Sequence, residues 1–221
     1  MSDKIGIKEL FENIPPLFEI FFSGKRYPWE AITDIGRLIS CADLNGYTEI
    51  SKNVYVGKNV NISPLATVMP PAIIGDDTEI RQGALLRGNT VIGRGCVIGN
   101  STEIKNSLLL DHVAAPHYNY IGDSIIGNYA HLGAGVILSN LKSDKTDITV
   151  KGKKTYDTSM RKLGSVIGDR AEIGCGCVLN PGTVIGKDTV IYPLNSVRGV
   201  IPSCHIVKNS GVAVKKQTLD R

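Results

Sequence analysis

Aliphatic side chains recur at every sixth position over most of the chain. They form one series up to residue 110 and a second from residue 167, namely Val56, Ile62, Val68, Ile74, Ile80, Leu86, Ile92, Ile98, Ile104 and Leu110, then Ile167, Ile173, Leu179, Ile185, Ile191 and Val197. A period of six fits neither an α-helix nor a simple alternating strand. It is typical of a coil of short strands in which each aliphatic points inward above its equivalent in the previous coil. The pattern predicts a parallel β-helix of about seven or eight coils.

The regions outside the repeat predict the domain organisation. Residues 1–50 show helix-like patterns and concentrate phenylalanine between Phe18 and Phe22, so we expect an N-terminal helical cap and linker that cover the open end of the coil. Residues 51–201 form the β-helix domain. The basic stretch 141–164 has few apolar residues, which predicts a loop that leaves the coil and includes a small hairpin near Ile148. Residues 202–221 form a C-terminal tail that seals the other end.

The repeat changes character at residues 114–123. By the period of six, Pro116 occupies a slot where an aliphatic residue is due, and a histidine and two tyrosines follow it. A repeat protein departs from its repeat where something other than packing is selected. We therefore expect the chemistry of the protein near His117.

Composition limits the classes of function. The chain has 221 residues and a formal net charge of +4, without a basic stripe interleaved with aromatics, so we expect no nucleic acid partner. The N-terminal sequence has no signal pattern, and no apolar run approaches the roughly 20 residues of a membrane span. The five scattered cysteines are expected to be reduced thiols. These features predict a cytoplasmic protein that does not enter the membrane.

Three longer motifs resemble a known family. PHYNYIGD at 116–123, HLGAGVILSNL at 131–141 and RKLGSVIGD at 161–169 resemble the acetyltransferase domain of the bifunctional sugar-1-phosphate nucleotidylyltransferase/acetyltransferases, which acetylate glucosamine-1-phosphate. The resemblance covers residues 55–200. It implies a left-handed β-helix of hexapeptide repeats, assembled as a homotrimer with active sites between neighbouring coils, and acetyl-CoA as co-substrate. The glycine-rich signature of the nucleotidylyltransferase half is absent from the sequence.

The resemblance assigns a general base and a phosphate site. His117 matches the base that takes the proton of the attacking amine, a task that suits imidazole because it titrates near neutral pH. Arg87 and Lys105 match the residues that bind the sugar phosphate. They lie eighteen positions apart, so we expect them to stack in successive coils as a pair of cations. The alternatives are a surface histidine on a turn and two solvated charges.

Other positions complete the expected site. The resemblance places the sugar-binding residues at Tyr120 and Asn140, the backbone N–H that holds the thioester oxygen at Ala134, and a position near the thioester at Cys175. Tyr120 has an alternative role as an aromatic at the rim that fills the break in the repeat, and Asn140 has one as the residue that ends the coil before the loop. By charge alone, the candidates for the coenzyme A phosphates are Lys208, Lys215 and Lys216.

The chain also departs from the family pattern. His131 and Leu141 stand where bacterial members have asparagine and tyrosine. The family's loop lysines have no certain equivalent, so Lys142 and Lys145 are candidates. His131 precedes the inward-facing Leu132 and is therefore expected to point outward, into the cleft or into solvent.

A metal site and a cysteine pair are competing interpretations. His112 and His117 have the spacing of two zinc ligands in β-helix carbonic anhydrases, but no histidine precedes them to supply the third ligand. We expect no metal. Cys177 falls where the coil uses small inward side chains, as does Cys96, which favours packed, unreactive thiols.

The resulting hypothesis is acetyl-CoA-dependent N-acetylation of a hexosamine-1-phosphate. It leaves open whether the sugar is glucosamine-1-phosphate or galactosamine-1-phosphate. One alternative is a non-catalytic trimeric scaffold or regulatory partner of a separate nucleotidylyltransferase. Another is an acyltransferase with a different amine acceptor.

Overall fold

Three parallel sheets form the sides of a coil in the computed structural model, which describes residues 3–209 and 211–216. Sheet A consists of β1 (Thr48–Ser51), β2 (Val54–Val56), β5 (Ala72–Ile74), β8 (Thr90–Ile92), β11 (Ser107–Leu109), β14 (Ile125–Ile126), β19 (Ser165–Ile167), β22 (Thr183–Ile185) and β25 (Val200–Ile201). Sheet B consists of β3 (Asn61–Ile62), β6 (Glu79–Ile80), β9 (Val97–Asn100), β12 (Ala114–His117), β15 (His131–Leu132), β20 (Glu172–Ile173), β23 (Val190–Ile191), β26 (His205–Val207) and β27 (Ala213–Lys215). Sheet C consists of β4 (Thr67–Met69), β7 (Leu85–Arg87), β10 (Glu103–Lys105), β13 (Tyr120–Gly122), β16 (Ile137–Leu138), β21 (Val178–Leu179) and β24 (Ser196–Val197).

The predicted left-handed parallel β-helix is confirmed. Sheets A and B each have nine strands, of which the outermost, β1 and β27, pair antiparallel to their neighbours. Eight parallel strands therefore remain in each, and sheet C has seven. The sequence predicts that the coil ends at residue 201. In the structure the coil extends to Val207, because β26 continues sheet B.

The inward positions follow the period of six except where the chain passes from sheet C to sheet A after Ile104, Ile121 and Val197, and at the loop. Leu109 lies in the interior cluster of the coil, whereas Leu110 belongs to a second cluster outside it. Two residues separate β7 from β8, but only one residue separates β10 from β11. The inward position therefore moves from residue 110 to residue 109. The prediction that Pro116 occupies the position of an inward aliphatic is therefore wrong. Ala115 is the inward residue, and it is fully buried. The break in the repeat lies at the corners where sheet C meets sheet A.

The N-terminal helices pack along the side of the coil rather than over its open end. They are α1 (Ile7–Leu10), α2 (Pro16–Phe22), a 3-10 helix (Pro28–Asp34) and α3 (Ile35–Ile39). Their buried residues, including Phe18 and Trp29, form one cluster with outward side chains of sheet A such as Val91 and Ile125. A coil of hexapeptides exposes alternate positions of each strand, so an apolar outer face needs a cover. The helices supply that cover for sheet A.

The loop after β16 leaves the coil and returns to the same face. It contains an antiparallel hairpin of β17 (Ile148–Lys151) and β18 (Thr155–Met160). Ile148 and Val150 are fully buried in the cluster between the helices and sheet A. The Tyr156 hydroxyl donates to Asp3 Oδ2 over 3.0 Å, and its ring packs edge-on against Trp29. The helices and the loop hairpin thus form one covering layer on sheet A.

Two further features concern the environment and the cysteines. In the part of the chain that the structure describes, no helix is both long and apolar enough to span a bilayer. Cys96 and Cys177 are buried, and burial raises the pKa of both thiols, that of Cys96 to about 12. Cys41, Cys175 and Cys204 are exposed free thiols.

Candidate active site

His117, Ala134 and Cys175 lie one above another at the corner between sheets B and C, called here the B–C corner. The Gly135 N–H donates to His117 O over 3.1 Å, and the Gly176 N–H donates to Ala134 O over 2.8 Å. These bonds join consecutive coils, so the three residues are separated by steps of about 4.8 Å along the coil axis. The structure therefore brings together the predicted base, the predicted oxyanion donor and the exposed thiol.

A buried asparagine holds this corner in shape. Asn119 is 2% exposed; its Nδ2 donates to Gly133 O over 2.8 Å and its Oδ1 accepts from the His117 N–H over 3.3 Å. Tyr118, between them, has a left-handed φ of 53°, which turns the chain out of sheet B. Asn119 is not among the site residues predicted from the sequence, although a polar residue inside an apolar coil is a signal for such a role.

The residue beneath Pro116 in the neighbouring coil must be glycine. A Cβ on Gly99 would lie 1.5 Å from Pro116 O, far inside any real contact distance. This close approach sets the height of the His117 corner above the preceding coil. The His117 side chain is exposed beside an open groove of about 330 Å³, which Arg81, Gln82 and Asn100 also line.

Arg87 and Lys105 stack in neighbouring coils on sheet C, as expected from their spacing. Leu86 pairs with Ile104 in the parallel register, which sets the next residues, Arg87 and Lys105, side by side. Each cation has a carboxylate partner. Arg87 Nη1 lies 2.6 Å from Glu103 Oε1, and Lys105 Nζ lies 3.6 Å from Asp123 Oδ2.

Tyr120 and Asn140 meet above Gly122. A Cβ on Gly122 would lie 2.6 Å from Asn140 Nδ2 and 2.7 Å from the Tyr120 hydroxyl, so the missing side chain leaves room for both groups. Burial raises the pKa of Tyr120, and the nearby Glu103 carboxylate raises it further, which keeps the phenol protonated as a hydrogen-bond donor. Tyr120 begins strand β13 near His117, and its hydroxyl reaches toward the Lys105 end of sheet C.

Asp123 connects these groups to the neck of the loop, which is where the chain leaves the coil after Asn140 and returns to it at Gly164. Its carboxylate is almost buried and accepts hydrogen bonds from Asn140 Nδ2 and, over 2.8 Å, from Asn106 Nδ2. Its backbone O accepts from the Gly164 N–H over 2.8 Å, where the chain re-enters the coil. Asp123 is the last residue of the PHYNYIGD motif, but its contacts depend on segments distant in sequence.

Two cations missed by the sequence analysis lie beside Lys105. A groove of about 430 Å³ at the corner between sheets C and A, called here the C–A corner, is lined by Lys105, Arg161 and Lys162 together with Asn106 and Asp123. Lys142 and Lys145 do not line it. Arg161 and Lys162 precede the point where the repeat resumes, which is the signal that could have identified them.

The remaining candidates lie away from this groove. His131 points outward on sheet B, where its Nδ1 lies 2.9 Å from Glu172 Oε2. His112 stands at the corner between sheets A and B and stacks on Tyr129, so β12 separates it from His117. Within the described residues, no three His, Cys, Asp or Glu side chains group as metal ligands do.

The expected coenzyme A residues lie toward the C-terminal end of the coil. Ile191 pairs with Val207, which sets the next residues, Tyr192 and Lys208, side by side and places Lys208 at the start of the B–C corner, beyond Cys175 along the coil axis. Lys215 lies on the edge strand β27 opposite His205, and both lysines are exposed. The corner that begins at Ala134 therefore leads toward basic side chains.

Comparison with known proteins identifies relatives that carry acetyltransferase names. The family model of the GMPPB C-terminal domain matches residues 68–158. The uncharacterized acetyltransferase YaiX of Escherichia coli O6:K15:H31 (strain 536 / UPEC) is 32% identical over 197 residues, which cover 79% of this chain and 84% of that protein. The bifunctional sugar-1-phosphate nucleotidylyltransferase/acetyltransferase of Sulfurisphaera tokodaii is 30% identical over 181 residues, covering 72% of this chain and 44% of that protein. The chain thus spans less than half the length of this bifunctional relative.

A solved structure with a similar fold is that of PerB from Caulobacter crescentus, in complex with CoA and GDP-perosamine. It has a TM-score of 0.44 and 21% sequence identity, and the alignment covers 72% of this chain and 57% of that one.

Proposed function

The chain belongs to the acetyltransferase family of these relatives, and from that premise we propose that it transfers the acetyl group of acetyl-CoA to the amino group of a hexosamine-1-phosphate. The observation that carries the proposal is the stacking of His117 and Ala134 on one corner, one coil apart. At that separation a base can contact the amine of a tetrahedral intermediate while a backbone N–H contacts its oxyanion.

In the proposed reaction the amine attacks the thioester carbonyl while His117 accepts the amine proton. A C–N bond forms, and the Ala134 N–H stabilises the oxyanion that develops on the carbonyl oxygen. The C–S bond then breaks, and His117 returns the proton to the departing coenzyme A thiolate. Ala134 suits this role because its N–H makes no backbone hydrogen bond among the residues that the structure describes.

The acceptor's phosphate is proposed to bind in the groove at the C–A corner. Lys105, Arg161 and Lys162 supply the charge there, with Arg87 in the neighbouring coil of the same sheet. An arginine can bind a phosphate through two parallel hydrogen bonds, and the lysines add point charges. Tyr120 and Asn140 lie at Gly122, between this groove and the His117 corner, where a sugar ring would be held.

Coenzyme A is proposed to extend from Ala134 past Cys175 along the B–C corner. Lys208 lies at the end of this path, and Lys215 lies on the adjoining edge strand. Both can meet the phosphates of the nucleotide end. Because this co-substrate is produced inside cells, we propose that the enzyme works in the cytoplasm.

The active unit is proposed to be a homotrimer joined along the B–C corner. The covering layer closes sheet A, whereas this corner exposes Leu65, Tyr118 and Leu194, which are 71%, 62% and 84% exposed. Exposed apolar residues gathered along one edge are typical of an interface. A neighbouring copy placed there would complete the cleft beside His117.

The decisive experiment measures coenzyme A release from acetyl-CoA with glucosamine-1-phosphate and galactosamine-1-phosphate side by side. We expect release that requires the 1-phosphate and falls by a factor of about 10²–10⁴ in His117→Ala. The Tyr129→Phe variant, at the corner between sheets A and B, serves as the control. Release with the free amino sugars at equal efficiency would refute the phosphate site, and full activity of His117→Ala would refute the mechanism. Absence of release with any acceptor would favour the scaffold hypothesis.

A further inference from the structure

A second basic cavity lies between the loop and the C-terminal coils, apart from the acceptor groove. Its volume is about 450 Å³, and three separate segments supply its cations: Lys142 from the start of the loop, Lys151 from β17 and Arg198 from the coil. Ser139 and Asn180 form part of its floor. In the register of sheet C, Ser139 lies one coil beyond Gly122 and Asn180 lies two coils beyond it. The cavity therefore begins about 5 Å beyond the proposed sugar site along the coil axis.

The walls of this cavity are held together by close backbone contacts. Gly182 and Gly199 both have left-handed φ values, of 78° and 79°. A Cβ on Gly199 would lie 2.6 Å from Lys151 O, and one on Gly182 would lie 2.9 Å from Thr149 O. Only glycine allows β17 to approach the coil this closely. The hairpin and the coil therefore form a preformed site.

The protein balances only part of the positive charge in the cavity. Within residues 3–209 and 211–216, no carboxylate lies within ion-pair distance of Lys142, Lys151 or Arg198. Asp144 also lines the cavity, but its carboxylate accepts hydrogen bonds from the N–H and hydroxyl of Thr146, over 3.0 and 2.8 Å. The charge of Asp144 remains in the cavity, and the Lys142 ammonium donates to Asp147 O. Three cations against one carboxylate still leave a net positive cavity, and an anion would relieve their mutual repulsion.

We infer that this cavity binds the diphosphate group of a nucleotide. A diphosphate carries enough negative charge to pair with cations from three segments, and the volume lies in the range of small-molecule sites, about 300–1,000 Å³. Leu141 and Pro181 give the cavity an apolar side on which a base or a ribose can rest. The ligand is the nucleotide part of a sugar nucleotide or, if coenzyme A runs here instead of past Lys208, the nucleotide end of coenzyme A, since both contain a diphosphate.

The site is tested by calorimetric titration of the full chain with pyrophosphate, UDP and 3′-phosphoadenosine 5′-diphosphate. We expect pyrophosphate to bind and its affinity to fall about tenfold or more in Arg198→Ala and in Lys151→Ala, because each loses a charged partner. The control Lys153→Ala removes an exposed lysine of the same hairpin and should bind as the wild type does. Tighter binding of UDP would identify a sugar nucleotide as the source. Tighter binding of 3′-phosphoadenosine 5′-diphosphate would identify coenzyme A and would move its nucleotide end from Lys208 and Lys215 to this cavity.

Two results would overturn the inference. One is no binding of any of the three ligands by the wild type at millimolar concentration. The other is unchanged pyrophosphate affinity in the Lys151→Ala, Arg198→Ala double variant. The Lys105→Ala variant separates this inference from the proposed function, because it should weaken the acceptor, whereas a further loss of pyrophosphate affinity on adding Arg198→Ala to it reports on this cavity alone.

Discussion

Asp123 accepts a hydrogen bond from the Asn140 side chain at the point where the loop leaves the coil. The same residue accepts, through its backbone O, the Gly164 N–H at the point where the chain returns. One aspartate therefore closes the neck of the loop. Because Lys105 and Asn140 both contact its carboxylate, the shape of the acceptor site depends on it.

Replacement of Asp123 by alanine should affect both stability and acceptor binding. The half-buried amide of Asn140 would lose its Asp123 acceptor, and that of Asn106 would keep only a longer bond to Ile32 O, at a cost of up to about 1–3 kcal/mol for a group left unsatisfied. We expect a lower free energy of unfolding in denaturant and a higher KM for the acceptor, with a smaller change for acetyl-CoA. Asp147→Ala, an exposed acid of the same loop, is the control. Equal effects on both KM values would argue against a role at the acceptor site.

Lys162, rather than the lysines at the start of the loop, should determine acceptor affinity. It lines the groove with Lys105, so Lys162→Ala removes a charged partner of the phosphate and should raise the acceptor KM about tenfold or more. Lys153→Ala provides the comparison. Steady-state kinetics at saturating acetyl-CoA measures the effect. A larger rise in KM for Lys145→Ala than for Lys162→Ala would contradict this assignment.

Gly99→Ala should disturb the His117 corner. Its Cβ would collide with Pro116 O, so the coil must shift near the predicted base. We expect a lowered melting temperature together with a lowered kcat. In Gly6→Ala the new Cβ meets chiefly the flexible end of the Glu9 side chain, and that variant should stay close to wild type in both. An unchanged kcat in Gly99→Ala would show that the corner tolerates the displacement.

The contact between the N-terminal segment and the coil should depend on pH. Arg170 and Lys187 bind the Glu12 carboxylate and lower its pKa from 4.5 to about 2. A lowered pKa in the folded state means that this contribution to stability is complete above about 4.5 and is lost as the pH falls toward 2. The difference in unfolding free energy between wild type and Glu12→Gln should therefore shrink over that range. Glu19→Gln, an exposed acid of the same segment, should show no comparable trend, and a gap that persists at pH 2 would exclude the explanation.

The cysteines should divide into two reactivity classes. Cys96 and Cys177 are buried with raised pKa values, so iodoacetamide should modify Cys41, Cys175 and Cys204 but not these two. If coenzyme A follows the B–C corner, acetyl-CoA should protect Cys175 and leave Cys41 reactive. Peptide mass spectrometry after a timed reaction measures each site. Modification of Cys175 at the same rate with saturating acetyl-CoA would place the co-substrate elsewhere.

The sequence by itself determined the coil and the alignment of its residues. A side chain at every sixth position points inward because short strands and tight turns are local structures, and the stacking of Arg87 on Lys105 follows from their separation alone. Only the tertiary structure decided where the insertions pack. The position of the N-terminal helices on sheet A, the groove of Lys105 with Lys162, and the cavity of Lys151 with Arg198 all depend on contacts between segments distant in the chain. The sequence could not show that Leu109, rather than Leu110, is the inward residue, because two adjacent leucines satisfy the same pattern. Only the packing distinguishes them: Leu109 lies in the coil interior and Leu110 packs in the cluster with the helices.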